Sequence, residues 1–283
     1  VFTIADDVYK GAADFCLRYM RQQRSGFNPF LKDSCHTQDG YTLYGSAAGL
    51  PDSTFIDVSG GWHDASDYLQ YSTTSANATY HLLMAYRDFP HVFTDEKLAN
   101  GLDGKNNLPD VLDEAKWGLD WLLKMHPRDD WMFNQLGDDR DHISMRIPKM
   151  DSQYGRGFQR PVYFINGEKQ QRGKFLNNTT GTSSTAAKFA SAFALGMEVF
   201  LHQDSLFAMD LLDYSGSAMS YAMKKPGVTQ TASVKAPYIY AEGNWVDDME
   251  LAAATIYMRD PKKHKTLLKD AYDFAKQEPV TPW

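Results

Sequence analysis

Apolar residues recur at every third or fourth position along most of this chain, the spacing of helices that bury one face. The pattern predicts seven helices, over residues 7–23, 68–88, 109–125, 182–202, 206–224, 247–258 and 262–276. The fourth is rich in small and apolar residues, so we expect an inner, buried helix. Strand-like alternation is nearly absent, and only residues 156–164 are a candidate for a short strand pair. The sequence therefore predicts an all-α fold.

Two long polar segments, residues 26–60 and 127–181, separate the predicted helices. Loops of this length usually carry function rather than merely connect elements. Closely spaced helix pairs with long loops predict an α/α barrel, or toroid, whose loops form a cleft. No linker, low-complexity segment or exact repeat divides the chain, so we expect residues 1–283 to belong to a single domain.

The composition narrows the possible partners. The net charge of −7 makes nucleic acid and anionic membrane surfaces unfavourable partners, whereas a neutral polymer needs no charge steering. Aromatic residues make up 13% of the chain, and they can fill the core or stack on sugar rings. No apolar run approaches the ~20 residues of a membrane span. The first residues lack the basic and apolar regions of a signal peptide, which fits a mature or trimmed chain and does not exclude secretion.

The strongest candidates for catalytic residues lie in residues 60–68, where two glycines and several aromatic residues surround Asp64 and Asp67. If this segment begins a helix, the spacing places both carboxylates on one side of one turn. Two acids held that close repel each other, and a water molecule that they orient and deprotonate would explain the arrangement. The alternative is that Asp64 or Ser66 caps the helix and Asp67 is a favourable first-turn acid. On spacing alone the cap is the commoner explanation.

Four stretches in order along the chain resemble the signatures of glycoside hydrolase family nine, the inverting cellulases and related β-glucanases. The first is the motif around Asp64 and Asp67, in which Ser66 stands where the family usually has glycine. The others are residues 107–121, the substrate-cleft loop within residues 135–142, and a helix start at residues 180–187. The resemblance implies a six-hairpin α/α toroid with an open cleft, and it extends along nearly the whole chain.

The same resemblance implies a single-displacement mechanism. Asp67 is then the base that deprotonates water, and Asp64 helps to orient that water. The family's general acid is a glutamate in the last part of the domain, and neither Glu242 nor Glu250 lies in a segment that resembles its motif. A six-hairpin toroid contains twelve helices, so the seven predicted helices supply little more than half of it. We therefore expect this chain to be the N-terminal portion of a catalytic domain, partnered by the remainder of the domain after residue 283.

Substrate-binding residues also follow from the resemblance. On sequence alone His142 is more simply an exposed loop histidine, but the resemblance favours it as a residue that contacts sugar hydroxyls. Tyr238 and Tyr240 match cleft aromatic residues or belong to the core, and Trp62 in the first motif is a further candidate. Met145 stands where several relatives have a tryptophan, which removes one stacking platform.

One branch of the family binds structural zinc, and Cys35, His36 and His63 match three of its four ligands. Ser25 replaces the fourth ligand, a cysteine, and a hydroxyl is a poor zinc ligand. Cys16, the only other cysteine, lies more than two helical turns earlier in the sequence. The alternative is that the remnant of this site packs through hydrogen bonds. Two cysteines alone do not build a disulfide scaffold, and they can be free, paired or metal-bound.

A second metal prediction concerns calcium. Some relatives bind calcium with carbonyl and carboxylate oxygens from a loop that aligns here with Gly243, Asn244, Asp247 and Asp248. Oxygen donors of this kind suit the ion. The alternative is that the two aspartates favour the start of the following helix and bind no metal.

The sequence thus predicts hydrolysis of β-1,4-glucosidic bonds in cellulose or related β-glucans, with inversion and without a cofactor in the chemistry. One alternative is an exo-glucosidase, or a xyloglucan or mixed-linkage glucanase, on the same fold. Another is a non-catalytic glycan-binding fragment that lacks the general acid. The expected location is secreted, periplasmic or at the cell surface.

Overall fold

The computed structural model describes residues 4–5, 8–9, 11–143, 145–236 and 238–279. This part of the chain contains seven helices, each corresponding to one predicted helix: α1 (Ala12–Gln22), α2 (Ser72–Asp88), α3 (Asp110–Met125), α4 (Ser183–Phe200), α5 (Ser205–Lys224), α6 (Val246–Arg259) and α7 (Lys265–Ala275). It also contains short strands: β1 (Gly26–Asn28), β2 (Asp33–Cys35), β3 (Tyr41–Leu43), β4 (Gln70–Tyr71), β5 (Phe133–Leu136) and β6 (Pro161–Phe164). The mostly helical fold is confirmed.

The helices form an inner and an outer layer. Helix α4 packs against both α2 and α6, and these three are the inner helices. Helices α3, α5 and α7 follow them in sequence and pack outside α2, α4 and α6 respectively, with α1 against α3. Helix α4 is buried along nearly its whole length, as its small residues predicted. This alternation of inner and outer helices is that of an α/α barrel, of which the chain forms a part.

The long loops contain more strand than the sequence indicated. Strands β3, β6, β5 and β4 form a four-stranded sheet in that order, with β3 and β6 parallel and the other pairs antiparallel. Strand β6 falls within the predicted segment 156–164, but it pairs with β3 and β5 instead of within that segment. These strands escaped prediction because they are very short and buried on both faces, which removes the alternating pattern.

Helices at the two ends of this arrangement expose apolar side chains. Phe15 and Tyr19 on α1, and Leu268 and Tyr272 on α7, are exposed. A groove of about 580 Å³ runs beside α1, lined by apolar side chains of α1 and α2 and by Phe93. A protein rarely exposes a contiguous apolar patch without a use for it. In the described residues, no helix has the length and apolar character needed to cross a membrane.

Candidate active site

The motif around Asp64 and Asp67 forms a bent loop rather than a helix start. Gly60 and Gly61 have φ angles of 115° and 70°, in the left-handed region that favours glycine. The loop then enters β4, which pairs with β5, and α2 begins only at Ser72. No side chain caps α2, so the predicted helix start at residue 68 and the alternative role of Asp64 or Ser66 as its cap are both wrong. The strand pairing keeps the chain extended where the sequence pattern predicted a turn of helix.

Close packing fixes this loop from one side. A Cβ atom at Gly61 would lie 2.5 Å from the Trp121 ring, so the backbone and the indole are in direct contact. The Trp121 indole N–H donates to the Val58 carbonyl at 2.9 Å. The Gln70 side-chain amide donates to the Gly60 carbonyl at 2.7 Å, which closes the loop on itself. The two catalytic candidates therefore lie on a rigid support.

A buried arginine fixes the loop from the other side. Arg160, just before β6, is almost completely buried and pairs with Asp39, with 2.8 Å between Nη2 and Oδ2. Its guanidinium also donates to the Gln70 side-chain oxygen at 2.5 Å and to the Tyr68 carbonyl. Arg160 thus holds the backbone directly after Asp67. Sequence reasoning missed this residue, because its partners lie about 90 to 120 positions away.

Both carboxylate oxygens of Asp64 accept hydrogen bonds from hydroxyl groups. Thr74, in the first turn of α2, donates to Oδ1 at 2.7 Å. Tyr240, from the segment before α6, donates to Oδ2 at 2.8 Å. These contacts hold the carboxylate in one orientation, as a residue that positions a water molecule requires.

Asp67 is partly exposed and has a different set of partners. Its Oδ2 lies 2.7 Å from His142 Nε2, and its Oδ1 accepts a hydrogen bond from the Leu69 amide at 3.2 Å. Burial raises the pKa of Asp67, His142 opposes that change, and the neighbouring Asp141 and Asp64 reinforce it. The net effect is a pKa above the usual range for aspartate, which suits a base that must accept a proton from water.

Two tyrosines complete the site. Tyr238 packs edge-on against His142, with ring centroids 4.3 Å apart, and 48% of its surface is exposed. Tyr240 packs edge-on against Tyr71 at 4.6 Å. The structure therefore brings five of the six predicted catalytic and substrate-binding residues together, from three distant parts of the sequence: Asp64, Asp67, His142, Tyr238 and Tyr240. Met145, where relatives have a tryptophan, is fully exposed.

Trp62 is the exception and needs correction. Only 4% of its surface is exposed, and its indole N–H donates to Glu114 Oε1 at 2.8 Å. Its ring packs against Gly118 of α3, where a Cβ atom would approach the ring to 2.3 Å. Trp62 is therefore a core residue behind the site and presents no face to a sugar.

The predicted zinc ligands form a buried cluster. One donor atom each from Cys35, His36 and His63 lie within 4.8 Å of one another. His63 Nε2 is 3.3 Å from His36 Nδ1, and His36 Nε2 is 3.1 Å from Asp151 Oδ2. Burial raises the pKa of the Cys35 thiol and lowers the pKa of both histidines. Neutral imidazoles are the form that binds zinc.

A buried hydroxyl lies beside this cluster. Ser25 is completely buried next to Cys35, and its Oγ makes no hydrogen bond of good geometry with any described residue. Cys16 is exposed on α1 and takes no part in the cluster. Three good zinc donors thus converge beside one poor donor, so the residues fit a zinc ion only incompletely.

The predicted calcium ligands either have other partners or are exposed. The Asn244 side-chain oxygen accepts from the Trp245 amide at 2.9 Å, and its amide group donates to Glu278. Gly243 and Asp247 are exposed. Asp248 Oδ2 lies 2.5 Å from the ammonium of Lys188. Asp247 and Asp248 both lie in the first turn of α6, as the metal-free alternative expected, and this donor set does not fit a calcium ion.

Comparisons with known proteins identify the family of this chain. The chain is 28% identical over 234 residues to a cellodextrinase from Butyrivibrio fibrisolvens, which covers 80% of this chain and 38% of that protein. The crystal structure of a metagenome-derived glycoside hydrolase family 9 endoglucanase superimposes with a TM-score of 0.76 and 28% identity, over 97% of this chain and 47% of that one.

A zinc-binding triple mutant of the family 9 endoglucanase J30 superimposes with a TM-score of 0.72 and 22% identity, over 100% of this chain and 51% of that one. The chain thus spans about half of these solved structures and less than half of the cellodextrinase. The sequence model of Glycosyl hydrolase family 9 matches residues 9–282. Since this match extends over nearly the entire sequence, the chain belongs to glycosyl hydrolase family 9.

Proposed function

We propose that the protein containing this chain hydrolyses β-1,4-glucosidic bonds in cellulose or a related β-glucan, with inversion at the anomeric carbon. The observation that carries this proposal is the contrast between the two aspartates. Both residues are half-buried, but hydroxyl donors occupy both oxygens of Asp64, whereas Asp67 contacts His142 and has a raised pKa. Membership of the family supports the same assignment.

In this proposal Asp67 accepts a proton from a water molecule as its oxygen attacks the anomeric carbon. Asp64 accepts a hydrogen bond from the same water and fixes its direction. A protonated carboxylic acid on the other side of the glycosidic bond gives its proton to the departing oxygen, with the two carboxyl groups ~6.5–9.5 Å apart. His142 and Tyr238 border the site and contact the sugar.

We further propose that this chain is the N-terminal portion of one catalytic domain, and that the remainder of the domain supplies the general acid. The chain covers only 38% of the cellodextrinase and 47% of the metagenome-derived enzyme. The exposed apolar side chains of α1 and α7 are available to pack against further helices. A β-glucan polymer does not enter cells, so action in the periplasm, at the cell surface or in the medium follows from the substrate.

The substrate can be tested directly with the full-length protein. Release of reducing sugar from carboxymethyl-cellulose supports an endo-acting cellulase, and preferential release from xyloglucan supports the decorated-glucan alternative. Proton NMR of the first product resolves the anomer, and a retained configuration would overturn the proposed mechanism. Cello-oligosaccharide binding without turnover would favour the glycan-binding alternative.

For metals, we propose that none takes part in the chemistry and that the cluster of Cys35, His36 and His63 is the remnant of a structural zinc site. The hydrogen bonds from His63 to His36 and from His36 to Asp151 support this reading. A zinc ion, if bound, would be held by Cys35, His36 and His63 and would stiffen the loop that leads to Asp64.

A further inference from the structure

Helix α4 carries one charged residue in the middle of its buried surface. Lys188 lies among small and apolar residues of an inner helix, and only 9% of its side chain is exposed. Removing a charge from water is costly unless partners compensate for it. Its Nζ lies 2.5 Å from Asp248 Oδ2, 2.8 Å from Glu242 Oε1 and 3.3 Å from the Ser184 carbonyl. These oxygens can take all three N–H groups of the ammonium.

The two carboxylates come from a different part of the sequence. Glu242 lies in the segment before α6, and Asp248 lies in the first turn of α6. Glu242 Oε1 also accepts a hydrogen bond from Thr73 of α2 at 2.9 Å. One ammonium thus connects the three inner helices α2, α4 and α6. In other proteins, a structural calcium ion likewise binds oxygen atoms from separate segments of the chain around one positive charge.

We propose that the Lys188 ammonium takes the place of a structural metal ion and fixes residues 242–248 against α2 and α4. The segment that resembles a calcium loop is then stabilised by a cation that the chain itself supplies. This inference concerns the assembly of the inner helices and does not depend on the reaction proposed above.

Charge and donor chemistry both favour the ammonium over an added ion. A divalent cation beside Asp248 would lie next to the Lys188 charge and be repelled by it. Calcium also requires six to eight oxygen ligands, whereas the side-chain oxygen of Asn244 accepts from the Trp245 amide and Asp247 is exposed in the first turn of α6. One observation points the other way, because Glu242 Oε2 is buried without a hydrogen-bond partner among the described residues. A single free oxygen is too small a set of ligands for calcium.

The segment that this ion pair fixes also carries Tyr240. The Gln230 side chain donates to the Glu242 carbonyl at 3.0 Å, and the Tyr240 amide donates to Thr231 Oγ1 at 2.8 Å. These bonds, together with the Lys188 contacts, hold the backbone from which Tyr240 reaches Asp64.

Thermal unfolding of the full-length protein tests the proposal. We expect the wild-type Tm to be the same in excess EGTA and in millimolar CaCl2, and calorimetric titration with CaCl2 to show no binding at this loop. Lys188→Met should lower Tm by about 5 °C or more, because it leaves two half-buried carboxylates without their ionic partner. Lys269→Met, which breaks an exposed pair with Asp273 on α7, is the matched control and should leave Tm nearly unchanged.

A charge reversal gives a second, independent measurement. Lys188→Glu places a third carboxylate beside Glu242 and Asp248, so its Tm should rise when CaCl2 replaces EGTA, while Lys188→Arg should retain most of the wild-type stability. A wild-type Tm that falls in EGTA and recovers with CaCl2 would overturn the proposal, even if neither substituted protein folds. A Lys188→Met protein as stable as the Lys269→Met control would overturn it as well.

Discussion

The imidazole Nε2 of His142 lies 2.7 Å from Asp67 Oδ2, so the residue expected to touch sugar also contacts the candidate base. His142 lowers the pKa of Asp67, against the larger effect of burial and the repulsion from Asp141 and Asp64. The histidine therefore has two roles in the proposed site. It borders the cleft with Tyr238, and it limits how far the proton affinity of Asp67 rises.

This contact predicts a change in the pH dependence of kcat/KM. Asp67 must be unprotonated to act as a base, so activity falls as the pH drops through its pKa. His142→Asn removes the group that lowers this pKa, so the acidic limb should move to higher pH. Asp141→Asn removes a like charge and should move the limb to lower pH. Equal acidic limbs in the wild type and both variants would contradict the assignment of Asp67.

The second prediction separates the two aspartates by rate. Asp67→Ala should lower kcat by about 10²–10⁴-fold, because general base catalysis is lost. Asp64→Ala should lower kcat less, since the base remains and only the hydrogen bond that orients the water molecule is lost. Asp120→Ala, which breaks the exposed pair with Lys116 on α3, is the matched control and should retain full activity. Steady-state kinetics on a soluble cello-oligosaccharide measure all three, and full activity of Asp67→Ala would exclude it as the base.

Much of the fold was predictable because the helical signal adds up over many residues. A stripe such as that of α3 spans four turns, so a few exceptions do not hide it. The strands carried no such signal, since β4 has only two residues and both are buried. Strand β4 also explains the error at the start of α2, because its pairing with β5 is decided by residues that lie far away in sequence.

The candidate site was predictable only as far as its motifs extend. Asp64, Asp67 and His142 belong to local sequence patterns, and the structure brings them together. Trp62 belongs to the same motif, but its indole is buried because Gly118, which lies on α3, leaves space for the ring. No local sequence pattern indicates the roles of Arg160 and Lys188. Their partners are distant in sequence, so only the folded chain shows why a charge is buried there.

The third prediction concerns stability. Arg160→Met should lower the free energy of unfolding by about 3–5 kcal/mol, because Asp39 is then left buried without its ionic partner. Arg128→Met removes an exposed arginine paired with Asp130 and should cost less than ~1 kcal/mol. Urea denaturation followed by circular dichroism compares the two. Similar midpoints for both variants would show that Arg160 does not hold the loop after Asp67.

The last prediction concerns Ser25, the serine beside the cluster of Cys35, His36 and His63. Purified wild-type protein should contain less than about a tenth of an equivalent of zinc, because a hydroxyl completes the cluster poorly. Ser25→Cys places a thiolate beside Cys35, His36 and His63, so the variant should bind about one equivalent. Its Tm should rise when zinc is present, since the ion binds only the folded state.

Two controls make the zinc result specific. Ser46→Cys adds a cysteine at an exposed position and should not increase the zinc content. Adding His63→Ala to Ser25→Cys removes one ligand and should abolish stoichiometric binding, because a closed structural site needs four donors. Elemental analysis of protein prepared without chelators measures each variant. One equivalent of zinc in the wild type would show that Ser25 does not disable the site, and a zinc-free Ser25→Cys variant would show that the four side chains do not converge on one point.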